Sequence, residues 1–287
     1  MFKNVQTPTS FSLVEKGKTS FLLKEEYINL LLKQGIDDLK TFLKKSNQAS
    51  HYVKGRTLHP SLPLEGGKRM VFRQYSHGGV LRALTGNLYL FGARSFQELA
   101  LTEEIRSSGI PTVSSLAAIH HRIFFPFYQA YFLSLEVPRA IDLIQFFQET
   151  VAMPSSEALS LKRKTIRSAG LLIRQFHQAG FFHGDLQLKN ILVAGDQLLL
   201  IDFDRSYRKP ALSVQERIKN LLRLNRSVEK WKRLGVPITR TDRWRFFTAY
   251  TGGDKKIQEA MERLLRTYSL RFLFHRLGWT LQKIVKR

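Results

Sequence analysis

Residues 181–204 read FFHGDLQLKNILVAGDQLLLIDFD, and this stretch decides how the rest of the chain is read. His183, Gly184 and Asp185 form a tight cluster, and Asn190 follows five residues after Asp185. Two short apolar runs come next, ILV at 191–193 and LLLID at 198–202, joined through Gly195-Asp196. Apolar runs on either side of a Gly-Asp turn predict a buried hairpin. Asp202 falls at its end, seventeen residues beyond Asp185. Aspartates often serve as simple turn formers. That role does not account for two carboxylates and an amide placed around one loop and one hairpin. Hard oxygen donors of this kind suit magnesium. A carboxylate beside them suits removal of a proton from an incoming hydroxyl.

The spacing fits phosphoryl transfer from ATP. Protein kinases use a loop H-R-D-x-x-x-x-N, followed by a further metal-binding aspartate. By this match Asp185 is the catalytic base, and Asn190 and Asp202 hold Mg2+. Gly184 stands where the protein-kinase loop has Arg, a form that resembles small-molecule and sugar kinases.

Outward from this stretch, residues 157–179 carry Leu159, Ile166, Ala169, Ile173 and Phe176 at helical spacing, with Gly180 suited to the C-terminal cap. Everything after about residue 212 reads as helical and basic. On the other side the chain is strand-rich. FSLVEKGKTSFLL at 11–23 predicts two short strands around Gly17. Helical spacing follows over 24–46, interrupted by Gly35, with Asp37 as the cap of a second helix. Residues 61–75 predict a hairpin turning at Gly66-Gly67. Residues 95–108 predict a helix with Ser95 as N-cap and Glu98 completing a capping box. Residues 124–137 read as a strand closed by Pro138.

Strands first and helices second predict an α+β, two-lobed protein-kinase-like fold: a small antiparallel β-sheet lobe and a larger helical lobe with a cleft between them. The expected division is an N-terminal extension at 1–54, a nucleotide-binding small lobe at 55–137 and a catalytic, substrate-binding large lobe at 138–287. In such a fold a basic residue on a small-lobe strand reaches the phosphates and pairs with a helix glutamate. Arg73 and Glu98 are the candidates, although a surface pair would use the same residues. Glu136 falls where a hinge would meet adenine, or is an ordinary strand end. No G-x-G-x-x-G is present. Gly55 and the His77-Gly78-Gly79 turn are the remaining glycine elements near the expected nucleotide roof.

The 287 residues are 43% hydrophobic, enough for one sizeable core or two lobes. Cysteine is absent, which excludes disulfides and thiolate metal sites. The formal net charge is +23, which favours a phosphorylated substrate, an anionic membrane face or nucleic acid. No recognisable nucleic-acid module accompanies it. No apolar run reaches the roughly 18 residues of a spanning helix, and the N-terminus does not read as a secretory signal.

Several segments resemble the lipopolysaccharide core kinases, and the 3-deoxy-D-manno-octulosonic acid (Kdo) kinases among them. They are VFRQYSHGGVLRAL at 71–84, SFQELALTEEIRSSGIPTV at 95–113, FFHGDLQLKNILV at 181–193, IDFDRS at 201–206 and NLLRLNRS at 220–227. The similarity spans most of 55–230. It implies an enzyme peripheral to the cytoplasmic face of the bacterial inner membrane, using ATP and Mg2+. The implied acceptor is a hydroxyl of Kdo, or of heptose, on a lipopolysaccharide precursor glycolipid. Arg205, Arg223 and Arg226 are candidates for binding the acidic sugar, against the alternative of solvated helix faces. The C-terminal segment SLRFLFHRLGWTLQKIVKR reads as a basic amphipathic helix for an anionic membrane surface or for packing on the large lobe.

Two other functions share parts of this pattern. Aminoglycoside- and choline-type phosphotransferases carry the same loop, but their acidic pockets fit poorly with +23. A non-catalytic pseudokinase binding membrane or nucleic acid would not need Asp185, Asn190 and Asp202 intact.

Overall fold

A computed structural model describes residues 7–54, 58–76, 86–153, 155–260 and 262–263. Gly55, the His77-Gly78-Gly79 turn and the C-terminal segment 269–287 lie outside these described residues.

One antiparallel sheet organises the first half. Its strands are β1 (Phe11–Lys16), β2 (Thr19–Lys24), β3 (His51–Lys54), β4 (Leu58–Pro63), β5 (Arg69–Gln74), β6 (Tyr89–Leu90), β7 (Ser115–Phe124) and β8 (Phe127–Leu135). The order is β1-β2-β7-β8-β5-β4-β3, with β6 paired to β8. Strands from residues 11–54 therefore lie in the same sheet as those from 58–135. Side chains alternate between faces with a period of two, and this splits the buried residues into two cores. Phe21, Leu23, Ile119, Tyr131 and Leu133 pack on one face. Helices α1 (Ile28–Lys33) and α2 (Leu39–Asn47) bring Leu31, Leu39 and Phe42 against that face. Leu22, Ala118, Ala130 and Phe132 point the other way, onto Phe96 and Leu99 of α3 (Arg94–Ser107).

The second half is helical. It contains α4 (Leu143–Glu149), α5 (Ser155–Gln178), α6 (Val214–Arg233) and α7 (Arg240–Thr251). Two small antiparallel sheets accompany them: β9 (Ile141–Asp142) with β11 (Ile191–Ala194) and β12 (Gln197–Leu200), and β10 (Phe181–Phe182) with β13 (Tyr207–Arg208). Ile166, Ala169, Ile173 and Phe176 of α5 are buried in one core with Phe181, Leu186, Leu200 and Phe203. Gly180 ends α5 with φ +85°, and a Cβ there would lie 1.9 Å from the Lys209 carbonyl oxygen. Only glycine lets the chain leaving β13 pass so close.

Three local expectations are corrected. Asp38 caps α2, accepting from the Thr41 N–H at 3.2 Å, while Asp37 pairs with Lys16. Leu159 is 49% exposed, while its neighbour Ala158 takes the buried position at that end of α5. Ser95 does not cap α3. The helix starts one residue earlier, and Ser95 is buried with its Oγ donating to the Ile119 carbonyl at 3.0 Å.

Candidate active site

A cleft of about 1280 Å³ opens between sheet and helices, and Arg73, Glu98, Asp185, Asn190 and Asp202 all line it. The loop at its floor is fixed by His183. This ring is fully buried, and burial pushes its pKa down, so it is neutral. Its Nδ1 accepts the Asp185 N–H at 3.0 Å, which leaves Nε2 to donate to the Ile201 carbonyl at 3.1 Å. The histidine thus ties the Asp185 loop to the strand end that carries Asp202. Asn220 of α6 holds the same loop from below. It accepts the His183 N–H through Oδ1 and donates to the His183 carbonyl through Nδ2 at 2.7 Å.

Gly184 has a packing reason. A Cβ there would come 2.4 Å from the Asp204 carbonyl oxygen, and its N–H donates to Ser206 Oγ at 2.8 Å. The Arg of the protein-kinase loop has no room, because the 204–206 segment lies against this position. Asn190 is buried and donates Nδ2 to the Asp185 carbonyl at 2.8 Å. Its Oδ1 has no hydrogen-bond partner among the described residues. The Asp185 carboxylate faces the cleft and accepts from Arg223 Nη1 at 2.8 Å.

The roof is built around Arg73 on β5. Its guanidinium donates to Glu98 at 2.5 Å and to Asp202 at 2.5 Å, bridging sheet and loop. Tyr75 also donates its hydroxyl to Glu98. Burial opposes the charge on Arg73, but Glu98, Tyr75 and Asp202 outweigh it and hold its pKa well above the ordinary value. Burial pushes the Glu98 carboxyl up, with Arg73 opposing. At Asp202 burial acts the same way, but Arg73 and His183 prevail and the carboxyl stays below its ordinary range. Asp202 also sits at φ +67°, a left-handed conformation rare for a non-glycine residue and concentrated at functional sites. Its carboxylate and the Asn190 Oδ1 are hard oxygen donors fitted to a magnesium ion. Among the described residues no group of three His, Cys, Asp or Glu side chains could enclose a metal. Magnesium does not require one, since it keeps waters and takes phosphate oxygens alongside one or two protein ligands.

The other candidate residues divide. Glu136 lines the cleft, but its carboxylate is engaged by Ser61, Arg69 and His51. Arg205 lines the cleft, is exposed and has φ +60°. Arg223 reaches Asp185. Arg226 is exposed on α6 and does not line the cleft. Gly55 lies outside the described residues.

Sequence reasoning missed Arg94, Tyr75 and Asn220. Arg94 pairs with Asp204 through Nε at 3.0 Å and a second, closer contact, while its guanidinium covers the Tyr89 ring. Its only signal was a basic residue beside an expected helix start. Asn220 opened the quoted NLLRLNRS stretch but drew no role of its own, as an amide mid-helix usually faces water.

The family described as lipopolysaccharide kinase (Kdo/WaaP) matches residues 40–250. Relatives named 3-deoxy-D-manno-octulosonic acid kinase include one from Vibrio cholerae, 34% identical over 165 residues, covering 55% of this chain and 64% of the relative. One from Xanthomonas oryzae is 35% identical over 168 residues, covering 56% and 62%. One from Pasteurella multocida is 30% identical over 172 residues, covering 57% and 67%. The matches thus span a little under two thirds of the Vibrio and Xanthomonas relatives. A solved structure described as WaaP in complex with acyl carrier protein superposes with a TM-score of 0.55 at 20% identity, over 86% of this chain and 98% of that one. At that identity the likeness is one of fold, and it places the chain in the two-lobed kinase-like architecture.

Proposed function

Since the chain belongs to the lipopolysaccharide kinase (Kdo/WaaP) family, we propose that it transfers the terminal phosphoryl group of ATP to a hydroxyl of Kdo on a lipopolysaccharide precursor. We place the division between its nucleotide-binding and catalytic lobes at Pro138. The observation that carries the reading is the meeting of Asp185, Asn190 and Asp202 on one cleft wall beneath the Arg73–Glu98 pair.

In this mechanism Asp185 orients the acceptor hydroxyl and takes its proton as the new P–O bond forms. Asn190 keeps that carboxylate in place through the Asp185 carbonyl, and offers its Oδ1 with Asp202 as ligands for magnesium. The metal, when bound, neutralises phosphate charge that builds in the transition state. Glu98 fixes one edge of the Arg73 guanidinium, and the edge now paired with Asp202 would turn to phosphate as Asp202 takes up the metal. Arg205 and Arg223 meet an acidic sugar at the cleft mouth. That basic rim favours a Kdo carboxylate over a cationic aminoglycoside. Long-range attraction from +23 draws the enzyme to the anionic cytoplasmic leaflet.

Incubation with labelled ATP, magnesium and parallel acceptors tests this reading. The acceptors are a Kdo–lipid A precursor, a heptose-extended core, an aminoglycoside and a generic protein. Label is expected on the Kdo glycolipid. Label confined to the heptose arm would move the acceptor one sugar outward. Label on the drug alone, or nucleotide binding with no transfer, would overturn the proposal.

A further inference from the structure

The β7–β8 turn carries Phe124-Phe125-Pro126-Phe127, and β6 beside it continues into Phe91. Register brings these together: Leu90 pairs with Phe127, and the Phe91 N–H donates to the Pro126 carbonyl at 3.2 Å. Leu90 is 59% exposed, Phe91 59%, Phe124 57% and Phe125 72%. The rings touch one another rather than the core: Phe91 to Phe125 at 5.8 Å and Phe124 to Phe127 at 4.8 Å between centroids. Single exposed apolar residues are ordinary, but a contiguous aromatic knob marks an interaction surface. Phe91 also holds φ +50°, a conformation rare for a bulky residue and maintained at some cost.

The surroundings select the partner. Exposed Lys18 and Arg122 flank the knob, with the Arg122 N–H bonded to the Lys18 carbonyl and Lys18 Nζ reaching the Ile123 carbonyl. Aromatic side chains ringed by basic ones are the composition of bilayer interfaces, where rings enter the headgroup layer and cations meet lipid phosphates. The knob is also continuous with the cleft. Tyr89, which lines it beneath Arg94, directly precedes Leu90. A lipid-linked sugar would be met where the enzyme touches the membrane. We propose that the Leu90-Phe91 and Phe124-Phe125 knob inserts into an anionic bilayer and sets the cleft mouth at its surface. This rests on the lipid-linked acceptor of the proposed function.

The chain has no cysteine, so F125C and, as a remote control, E157C can each carry one environment-sensitive dye. With phosphatidylglycerol–phosphatidylethanolamine vesicles the dye at 125 should shift blue and be quenched by brominated acyl chains, and the dye at 157 should do neither. The double variant Phe91→Ser/Phe125→Ser should bind these vesicles about tenfold or more weakly, from lost apolar burial. It should phosphorylate a glycolipid in vesicles correspondingly less, and a soluble deacylated Kdo saccharide as well as the parent does. No shift at 125, unchanged vesicle binding by the double variant, or a shift that follows protein concentration without lipid would each overturn the proposal; the last would make the knob a contact between copies. A shift produced only by an acidic carrier protein would overturn it in favour of that partner. Failure of the soluble saccharide with both proteins would instead count against the proposed function, since the vesicle measurements do not depend on catalysis.

Discussion

The loop at the floor of the cleft and the roof above it meet through ion pairs, Arg73 with Asp202 and Arg94 with Asp204 among them, yet they are assembled in different ways. The floor is local. His183, Asp185 and Asn190 lie within eight residues and bond to one another's backbone, so their spacing alone announces the loop. The roof is distributed. Arg73 meets Glu98 across 25 residues and Asp202 across 129, and it reaches both only after strands and helix have packed. Chemistry that depends on local spacing survives in the sequence as a motif, whereas chemistry that depends on packing leaves only residue types.

The sharpest way to break this contrast is Asp185→Asn. Loss of the proposed base should lower kcat by about 10²- to 10⁴-fold, with the KM for ATP changed little, because the roof proposed to receive ATP is intact. Steady-state kinetics with ATP varied at saturating acceptor decides it. A KM for ATP that rises in step with the fall in kcat would erase the division of labour between floor and roof.

Arg73→Lys probes the other side. An ammonium is a point donor, and cannot hold Glu98 and Asp202 on two edges as the planar fork does. Losing one charge-assisted bond, roughly 1.5–3 kcal/mol, should lower kcat/KM for ATP by about tenfold to a hundredfold. A variant with parental kcat/KM would show that the roof needs only a positive charge, as protein kinases manage with Lys.

The same contrast explains what was legible. The hairpin around Gly195, the long helix closed by Gly180 and the two strands around Gly17 follow from periodicity and punctuation, and all are present. Strand β7 escaped notice because SLAAIHHRIF carries small residues and two histidines where β-branched runs are expected. It is central in the sheet, so small side chains suit its crowded faces. Arg94 and Asn220 were invisible for another reason: their partners, Asp204 and His183, lie 110 and 37 residues away.

A pH titration separates the two regions by sign. His177 is fully buried, donating Nε2–H to Asn220 and accepting from the Tyr250 hydroxyl, and burial pushes its pKa down to about 4. The unfolded chain takes up this proton first as pH falls. The contribution is therefore complete above about pH 6.5 and eroded between there and about pH 4, by about 3 kcal/mol in all. His177→Gln should reduce the slope between pH 7 and 4.5 in denaturant melts by this share, leaving that of His183 and His59, whose pKa values burial also lowers. Glu98 in the roof works in the opposite sense. Its raised carboxyl contributes below the ordinary glutamate pKa and loses that contribution as pH rises through its folded value. Acid should thus loosen the floor through Asn220 before it loosens the roof. A slope unchanged in His177→Gln would assign the acid response elsewhere.

The smallest effect is the most instructive about reading sequences. The pattern S-x-x-E occurs at Ser95–Glu98 and again at Ser213–Glu216. At the second site it is a true capping box: Ser213 Oγ accepts the Glu216 N–H at 3.2 Å, and Glu216 accepts the Ser213 N–H at 3.0 Å. At the first site both side chains are taken by the fold, Ser95 by a strand carbonyl and Glu98 by Arg73 and Tyr75. The difference is burial, since a cap competes with water and a buried glutamate demands a charge partner. Ser213→Ala should therefore cost about 1 kcal/mol of stability with kcat unchanged, as the helix it starts still carries Asn220 and Arg223. Glu98→Gln should do the reverse, lowering kcat/KM for ATP while the start of α3 is unaffected. Equal losses of stability in the two variants, with activity intact in both, would return Glu98 to the role of a cap and leave Arg73 without its anchor.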